Sequence, residues 1–222
     1  GPPGAGFGRA PDLGAIADPF DVILFDAYGV LNVGDQITLY GWTGNLVGLS
    51  QGWLGDVDGN GYIELLLNAE GDDGLYEGSG VVYVVDASEL VASGAAGNMT
   101  ALLTIDGSTA GGHLRGAENP GDYDGDGLPD LVVSHVGAMD SNIQNKTFVF
   151  LGTEILANAG GTVEARDGSA HFEATETDTQ LGWVVMPGDL DGDGDDDLVM
   201  SAPWGQSTGG YAVVFTSFLG GE

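Results

Sequence analysis

The chain has 222 residues and a formal net charge of −30, with 34 acidic residues against four lysines and arginines. This balance excludes binding to nucleic acid or to an anionic membrane surface, because both need a basic patch. Cysteine does not occur, which excludes a disulfide scaffold and thiolate metal sites. A hydrophobic fraction of 42% is enough for a packed core, and no apolar run reaches the ~18 residues of a membrane span.

The first part of the chain is predicted to be a shortened repeat over residues 7–45. Strand-like runs at 12–17 and 22–26 parallel runs found later in the chain, but Arg9-Ala-Pro stands where metal ligands would be expected. The first six residues lack the basic start and apolar middle of a signal peptide, so we expect a mature or trimmed segment. The remaining chain divides into predicted repeats at 46–110, 111–177 and 178–222.

An aspartate-rich loop occurs three times in register in these repeats. The loops follow Gly55, Gly121 and Gly188, which are 66 and 67 residues apart, and position 1 of each loop is the aspartate after that glycine. Each loop runs into an apolar stretch. Side-chain oxygens recur at loop positions 1, 3, 5 and 9, and a backbone carbonyl is expected at position 7. The predicted ligands are Asp56, Asp58, Asn60, Tyr62 and Glu64; Asp122, Asp124, Asp126, Leu128 and Asp130; and Asp189, Asp191, Asp193, Asp195 and Asp197.

This set of ligands favours three calcium ions. Oxygen ligands with three or four acids, and neither His nor Cys, suit calcium better than zinc or copper, and magnesium prefers a smaller shell that keeps its waters. An EF-hand would need a bidentate Glu at position 12, where this chain has Leu67, Val133 and Met200. Simple Asp/Gly turns do not require a carboxylate at every second position.

Strand patterns surround each loop. Runs at 81–85, 147–151 and 211–215 alternate β-branched and aromatic residues, which is typical of β-strands. Short segments with helical leanings follow at 88–92 and 153–157, and a fourth strand is predicted at 100–105 or 161–165. Each repeat is therefore predicted as four antiparallel strands whose first two strands are joined by the metal loop. Tandem four-stranded units of this kind predict an all-β propeller.

The chain resembles the FG-GAP repeats of the integrin α-subunit β-propeller. The resemblance lies in the Gly-Asp-x-Asp-Gly-Asp-Gly loops, in residues 197–203 and in residues 210–215. It implies a β-propeller of four-stranded antiparallel blades with calcium at the loop residues named above. Family propellers usually have about seven blades, whereas this chain supplies three full repeats and a partial one. We therefore expect part of a propeller, a ring closed by the chain itself, or self-association through open blade edges.

Catalytic chemistry is not indicated by the sequence. His113, His135 and His171 are scattered without metal-ligand spacing. Ser134 and His135 are adjacent on a predicted strand and would point to opposite faces, which does not suit a nucleophile and its base. We therefore expect that the chain is not an enzyme.

Four tryptophans and two glycosylation sequons complete the candidates. Trp42, Trp53, Trp183 and Trp204 are predicted as core between blades, with a sugar-stacking platform as the alternative, and sequons begin at Asn98 and Asn145. The sequence predicts an extracellular, calcium-binding module for adhesion or protein binding, with an unknown protein or glycan ligand. A carbohydrate-binding propeller and a non-catalytic domain of a larger secreted enzyme are the alternatives.

Overall fold

The computed structural model describes residues 47–88, 101–136, 144–177, 179–183, 185–186, 188–204 and 209–216. All of them belong to one compact unit, Tyr40–Glu222. The predicted repeat over residues 7–45, which includes Trp42, and the sequon at Asn98 lie outside the described residues.

Strands dominate the described residues. They are β1 (Val47–Gly55), β2 (Glu64–Ala69), β3 (Val81–Asp86), β4 (Leu103–Asp106), β5 (Leu114–Gly121), β6 (Asp130–His135), β7 (Gln144–Phe150), β8 (Gly161–Glu164), β9 (Ala170–Thr177), β10 (Val185–Met186), β11 (Leu198–Ala202) and β12 (Tyr211–Phe215). A short helix, α1, covers Gly152–Ala157, and Ala165–Asp167 forms a 3-10 turn. In the described part of the chain, no helix has the length and apolar character needed to cross a membrane.

The strands form three sheets in chain order. Sheet 1 has the order β1-β2-β3-β4-β8, sheet 2 the order β5-β6-β7-β9, and sheet 3 the order β10-β11-β12. Every neighbouring pair is antiparallel except β4 with β8, which run parallel. The prediction of an all-β fold is confirmed, and none of the three described sheets closes on itself.

Sheet 2 packs against both of the other sheets, because successive side chains of a strand point to opposite faces. Leu131 and Val133 of β6 share a buried cluster with Leu66 of sheet 1. Val132, between them in sequence, shares a second buried cluster with Met200 of sheet 3. Burying each of these side chains stabilises the fold by roughly 1.5–3 kcal/mol, so the alternation in β6 holds three sheets together.

One strand prediction was wrong about the sheet it joins. The segment 161–165 was predicted as the fourth strand of the second unit, and β8 does form there. It pairs in parallel with β4 of sheet 1, whereas β9 pairs with β7 and completes sheet 2. The helix before β8 explains this route, because Ile155 of α1 and Val163 of β8 both pack on the cluster between sheets 1 and 2.

The prediction that the tryptophans lie in the core was wrong for the three that the structure describes. Trp53, Trp183 and Trp204 are 67%, 43% and 52% exposed. In β1 the reason is the two-residue period, since the neighbouring Leu54 is fully buried and Trp53 must therefore face outward. Aliphatic and phenylalanine side chains fill the core instead.

His135 at the end of β6 is buried as a neutral side chain. Its Nε2 accepts a hydrogen bond from the Ser108 backbone N–H at 3.1 Å, and its ring packs edge-on against Phe148 with 5.3 Å between the centroids. Burial, with a smaller contribution from Lys146, lowers the pKa of His135 to about 4. An unfolded histidine titrates near 6.5, so the unfolded chain binds a proton that the folded chain does not.

This difference predicts a pH dependence of stability that His135→Gln removes. Glutamine keeps an oxygen acceptor for Ser108 but does not titrate. As pH falls from 7 to 4, we expect the wild type to lose on the order of 3 kcal/mol of unfolding free energy relative to the variant, at about 1.4 kcal/mol per pH unit. Urea denaturation in saturating calcium measures the difference. His171→Gln, which changes an exposed histidine, is the control, and a pH-independent difference would contradict the assignment.

Candidate metal centres

Each predicted metal loop connects the first two strands of one sheet. Loop 1 (56–64) joins β1 to β2, loop 2 (122–130) joins β5 to β6, and loop 3 (189–197) lies between β10 and β11. The glycines at positions 4 and 6 have positive φ, which residues with a Cβ rarely adopt. They are Gly59 (74°) and Gly61 (89°), Gly125 (71°) and Gly127 (90°), and Gly192 (84°) and Gly194 (108°). The three turns therefore share one backbone conformation at these positions.

Backbone N–H groups hold the acids of loop 1 in place. The Val57 N–H, at position 2, donates to Glu64 Oε2 at 2.7 Å. The Gly61 N–H, at position 6, donates to Asp56 Oδ2 at 2.9 Å. The Asn60 N–H donates to Asp58 Oδ1 at 3.0 Å. Each acid at positions 1, 3 and 9 is thus positioned by an N–H group of its own loop.

The same pattern recurs in the other two loops. Position 2 donates to position 9, position 6 to position 1, and position 5 to position 3 in every loop. The pairs in loop 2 are Tyr123 with Asp130, Gly127 with Asp122, and Asp126 with Asp124. The pairs in loop 3 are Leu190 with Asp197, Gly194 with Asp189, and Asp193 with Asp191. The three loops, which have the same spacing of acids in the sequence, therefore also have the same pattern of hydrogen bonds.

This geometry brings carboxylates from positions 1, 3 and 9 together. In each loop, one oxygen from each of the three acids lies within 4.8 Å of the others, and such a group could hold a metal ion. The groups are Asp56, Asp58 and Glu64; Asp122, Asp124 and Asp130; and Asp189, Asp191 and Asp197.

The position-5 side chains are placed differently. Asp126 and Asp193 lie outside the carboxylate groups. The side-chain oxygens of Asn60, Asp126 and Asp193 accept hydrogen bonds from the position-7 N–H groups of Tyr62, Leu128 and Asp195, at 2.8, 2.8 and 3.0 Å. Ligation by position 5 and by the position-7 carbonyls stays a prediction.

Burial makes the position-9 acids of loops 1 and 2 costly to ionise without a cation. Glu64 and Asp130 are both 0% exposed. Burial, followed by the nearby Asp58, Asp86 and Asp56, raises the pKa of Glu64 to about 7. Burial, with Asp124 and Asp122, likewise raises the pKa of Asp130 to about 7, although backbone hydrogen bonds oppose the shift at both residues. A bound cation would oppose both causes of these shifts.

Two unpaired oxygens support the fit of a hard cation. Glu64 Oε1 and Asp122 Oδ1 are buried and have no hydrogen-bond partner. A buried carboxylate oxygen without a partner costs free energy that ligation to a cation recovers. Together with the all-oxygen donor set, these orphaned atoms suit calcium in loops 1 and 2.

Sequence reasoning missed residues that support the ligands from outside the loops. Asp86 of β3 accepts a hydrogen bond from Asn60 Nδ2 at 3.0 Å. Asp130 Oδ1 accepts from the Gly152 N–H of α1 at 2.8 Å. Both partners lie more than 20 residues from the loops they support, and no local spacing could have identified them.

Comparisons with known proteins point to one repeat family. Residues 181–215, which contain loop 3, Trp183 and Trp204, match the model of the FG-GAP repeat. The predicted resemblance is therefore confirmed for this part of the chain. Similar proteins include phosphatidylinositol-glycan-specific phospholipase D of Rattus norvegicus, 27% identical over 186 residues, and that of Mus musculus, 26% identical over 179 residues. Each alignment covers 75% of this chain and 20% of the relative, so the chain spans about one fifth of the length of these relatives.

Replacing the buried acid of loop 1 should affect stability in opposite ways: it should raise stability in chelator and reduce the stabilisation by calcium. Glu64→Gln removes a buried charge but keeps an oxygen acceptor for Val57. In chelator at pH 8, we expect the variant to be more stable than wild type by up to about 3 kcal/mol, because the folded-state pKa of about 7 exceeds the unfolded value of 4.5. The gain should decline as pH falls from 7 to 4.5. In calcium, the variant should gain less stability from the ion than wild type does.

The matched control is Asp58→Asn, which alters an exposed acid of the same group. It should also weaken calcium binding, but without a comparable gain of stability in chelator. Urea denaturation of the three proteins with and without calcium separates the two effects. A Glu64→Gln variant less stable than wild type in chelator at pH 8 would contradict the electrostatic assignment.

Proposed function

Because residues 181–215 match an FG-GAP repeat, we propose that this chain is part of an extracellular, integrin-like β-propeller that binds three calcium ions and acts as an adhesion or protein-binding module. Sheets 1, 2 and 3 would be consecutive blades. The observation that carries the proposal is the repeated carboxylate group at the equivalent bend of all three sheets.

The ligands proposed for each ion come from positions 1, 3 and 9 of its loop. Bound calcium would supply positive charge that offsets the repulsion among these acids. The position-9 acid opens the second strand of its sheet in loops 1 and 2, where Glu64 begins β2 and Asp130 begins β6. Ligation would therefore tie each loop directly to a strand whose next residues are buried. The resulting role is structural, since it stiffens the strand connection.

A non-catalytic role is part of the proposal. Ser134 Oγ is buried and lies 3.1 Å from Thr147 Oγ1. His135 Nε2 already accepts a hydrogen bond from the N–H of Ser108, which follows β4 of sheet 1. The one adjacent serine and histidine therefore do not form a nucleophile and its base.

A glycan is the second candidate ligand, and the exposed tryptophans favour it. Trp183 precedes β10 and Trp204 follows β11, so both lie at the end of sheet 3 opposite loop 3. The guanidinium of Arg115 lies 3.9 Å from the centroid of the Trp183 ring. Half-exposed indole rings beside a fixed polar group can stack on the apolar faces of sugars while the polar group contacts hydroxyls.

The turn that carries Trp183 is held rigidly, which suits a preformed binding surface. Asn145 Oδ1 accepts a hydrogen bond from the Gln180 N–H at 2.6 Å, and Thr147 Oγ1 donates to the Leu181 carbonyl at 3.2 Å. Asn145 is 0% exposed, so its sequon is not accessible for glycosylation in the folded protein. The hydrogen bonds of Asn145 give this residue a structural role instead.

The third candidate is a non-catalytic domain of a larger secreted enzyme. Both similar proteins named above are called phospholipase D, and this chain spans about one fifth of their length. This reading is compatible with the calcium-binding module, because a stiff propeller can serve within a longer protein.

Removal of calcium tests the central proposal. Each site filled at 100 times its dissociation constant would add about 2.7 kcal/mol of stability, equivalent to roughly 5–10 °C in Tm. We expect a chelator to lower Tm, calcium to restore it, and magnesium to restore much less. The triple variant Asp58→Asn, Asp124→Asn, Asp191→Asn is the control and should show little response to calcium. An unchanged Tm in chelator would refute the proposal.

An assay for hydrolysis tests the non-catalytic role. The chain alone should not hydrolyse phosphatidylinositol glycans, because the acids that could act as acid and base are proposed calcium ligands. Hydrolysis that persists in the triple variant would overturn this part of the proposal without affecting the calcium sites.

Screening against a glycan array tests the second candidate ligand. If a glycan binds at the tryptophan end of sheet 3, Trp183→Ala and Trp204→Ala should each weaken binding about fivefold or more, because loss of a stacked aromatic ring costs about 1–3 kcal/mol. Trp53→Ala is the control, because Trp53 is also exposed but lies near the loop end of β1. Equal losses in all three variants would exclude a site at this end.

A further inference from the structure

We infer that loops 2 and 3 form one coupled calcium-binding unit, in which an ion at either loop raises the affinity of the other through Asp196. The inference rests on the proposed calcium binding and adds its regulation. Asp196 is not a predicted ligand, and it stands immediately before Asp197, the position-9 acid of loop 3.

Two reciprocal hydrogen bonds join the loops. The Asp122 N–H donates to Asp196 Oδ2 at 3.1 Å. In return, the Asp196 N–H donates to the Asp122 carbonyl oxygen at 3.0 Å. Asp122 is the position-1 acid of loop 2. A proposed ligand of one site is thus bonded directly to the neighbour of a proposed ligand of the other.

Close backbone packing adds to this connection. A Cβ on Gly121 would overlap the Asp196 carboxylate, and a Cβ on Gly125 would overlap the Asp195 carboxylate. Gly121 and Gly125 therefore lie directly against the side chains of two acids of loop 3. Ordering of residues 121–125 constrains residues 195–196, and the reverse holds equally.

Loop 1 provides an internal comparison. It is connected to sheet 2 through the side-chain amide of Asn119, which donates to the Leu54 carbonyl, and through Pro129, which lies next to Gly55. None of these four residues is a predicted ligand. We therefore expect loop 1 to be coupled more weakly to loop 2 than loop 3 is.

The sign of the coupling follows from two opposing effects. A cation at one loop weakens the negative potential that attracts a cation to the other. Loop 3 is exposed over residues 189–195 and loop 2 over residues 125–127, and salt screens exposed charges separated by more than about 8 Å at 0.15 M ionic strength. Ordering of the shared backbone acts in the favourable direction and is not screened. Positive coupling is therefore expected at this ionic strength, with equal effects in both directions by linkage.

Calcium titrations of the full chain test the inference. In a reference protein, Asp58→Asn disables loop 1, so loops 2 and 3 remain. Adding Asp191→Asn or Asp124→Asn leaves a single site, at loop 2 or at loop 3. The coupling factor is the product of the two association constants in the reference, divided by the product of the two single-site constants. Isothermal titration calorimetry at 0.15 M salt measures all of them, and we expect a factor of about five or more.

Asp196 variants test the route of the coupling. Asp196→Ala removes the side-chain acceptor but keeps the backbone bond to the Asp122 carbonyl, so it should lower the factor, whereas Asp196→Asn keeps a carbonyl oxygen and should retain most of it. The factor for loops 1 and 3, measured with Asp124→Asn as background, is the control and should be close to one.

Each outcome decides a different claim. A factor of one in the reference, with both sites binding calcium, would overturn the coupling but leave the proposed function intact. Titrations without any calcium binding would overturn the proposed function itself. Unchanged coupling in Asp196→Ala would exclude the Asp196 side chain as the route. The reference measurement requires no Asp196 variant, so the coupling is tested even if Asp196→Ala does not fold.

Discussion

Burial of one acid at the end of each loop is the constraint on which the metal centres depend. Glu64, Asp130 and Asp197 are 0%, 0% and 2% exposed, because Glu64 and Asp130 begin buried strands and Asp197 directly precedes one. One oxygen of each accepts the N–H of loop position 2, which forces the loop to turn back on itself. That turn brings the acids of positions 1 and 3 to the same place. The packing of the sheets and the convergence of the carboxylates therefore depend on each other. The free energy of hydrophobic burial holds the acids together against their repulsion.

The three loops are alike in geometry but differ in surroundings. Glu64 Oε1 has no hydrogen-bond partner, whereas Asp130 uses both of its oxygens, one of them on the Gly152 N–H of α1. That bond connects loop 2 to the segment that continues into β8 and pairs with β4 of sheet 1. On its other side, loop 2 contacts loop 3 through Asp196. The loop of the central sheet thus has structural connections in both directions, as expected for an element that packs between two neighbours.

How much of the structure could be predicted from the sequence depends on how far apart in the chain the interacting residues lie. The convergence of the acids at positions 1, 3 and 9 and the strands around them were predictable, because alternation and turn glycines act over a few residues. The sheet that β8 joins was not, since its local pattern is the same whichever partner it pairs with. Outward-facing Trp53 was missed because its hydrophobicity was weighed above the burial of its neighbour Leu54. Asp196 and Asp197 are adjacent acids, and only the fold distinguishes the bridge to another loop from the buried ligand.

The two ends of the sheets carry different chemistry, and β6 connects them. Asp130 opens this strand at the end that carries the loops. Near its other end, a Cβ on Gly182 would overlap Ser134 Oγ, so the turn that carries Trp183 rests directly on the strand. Arg115, one of the four cationic residues, lies at that end between the Trp183 ring and Glu70. A partner at the tryptophan end would therefore avoid the carboxylates that we propose to hold calcium. Binding of that partner would still depend on these carboxylates being fixed in place, because a loosened loop 2 would release β6, the strand against which the tryptophan turn is packed.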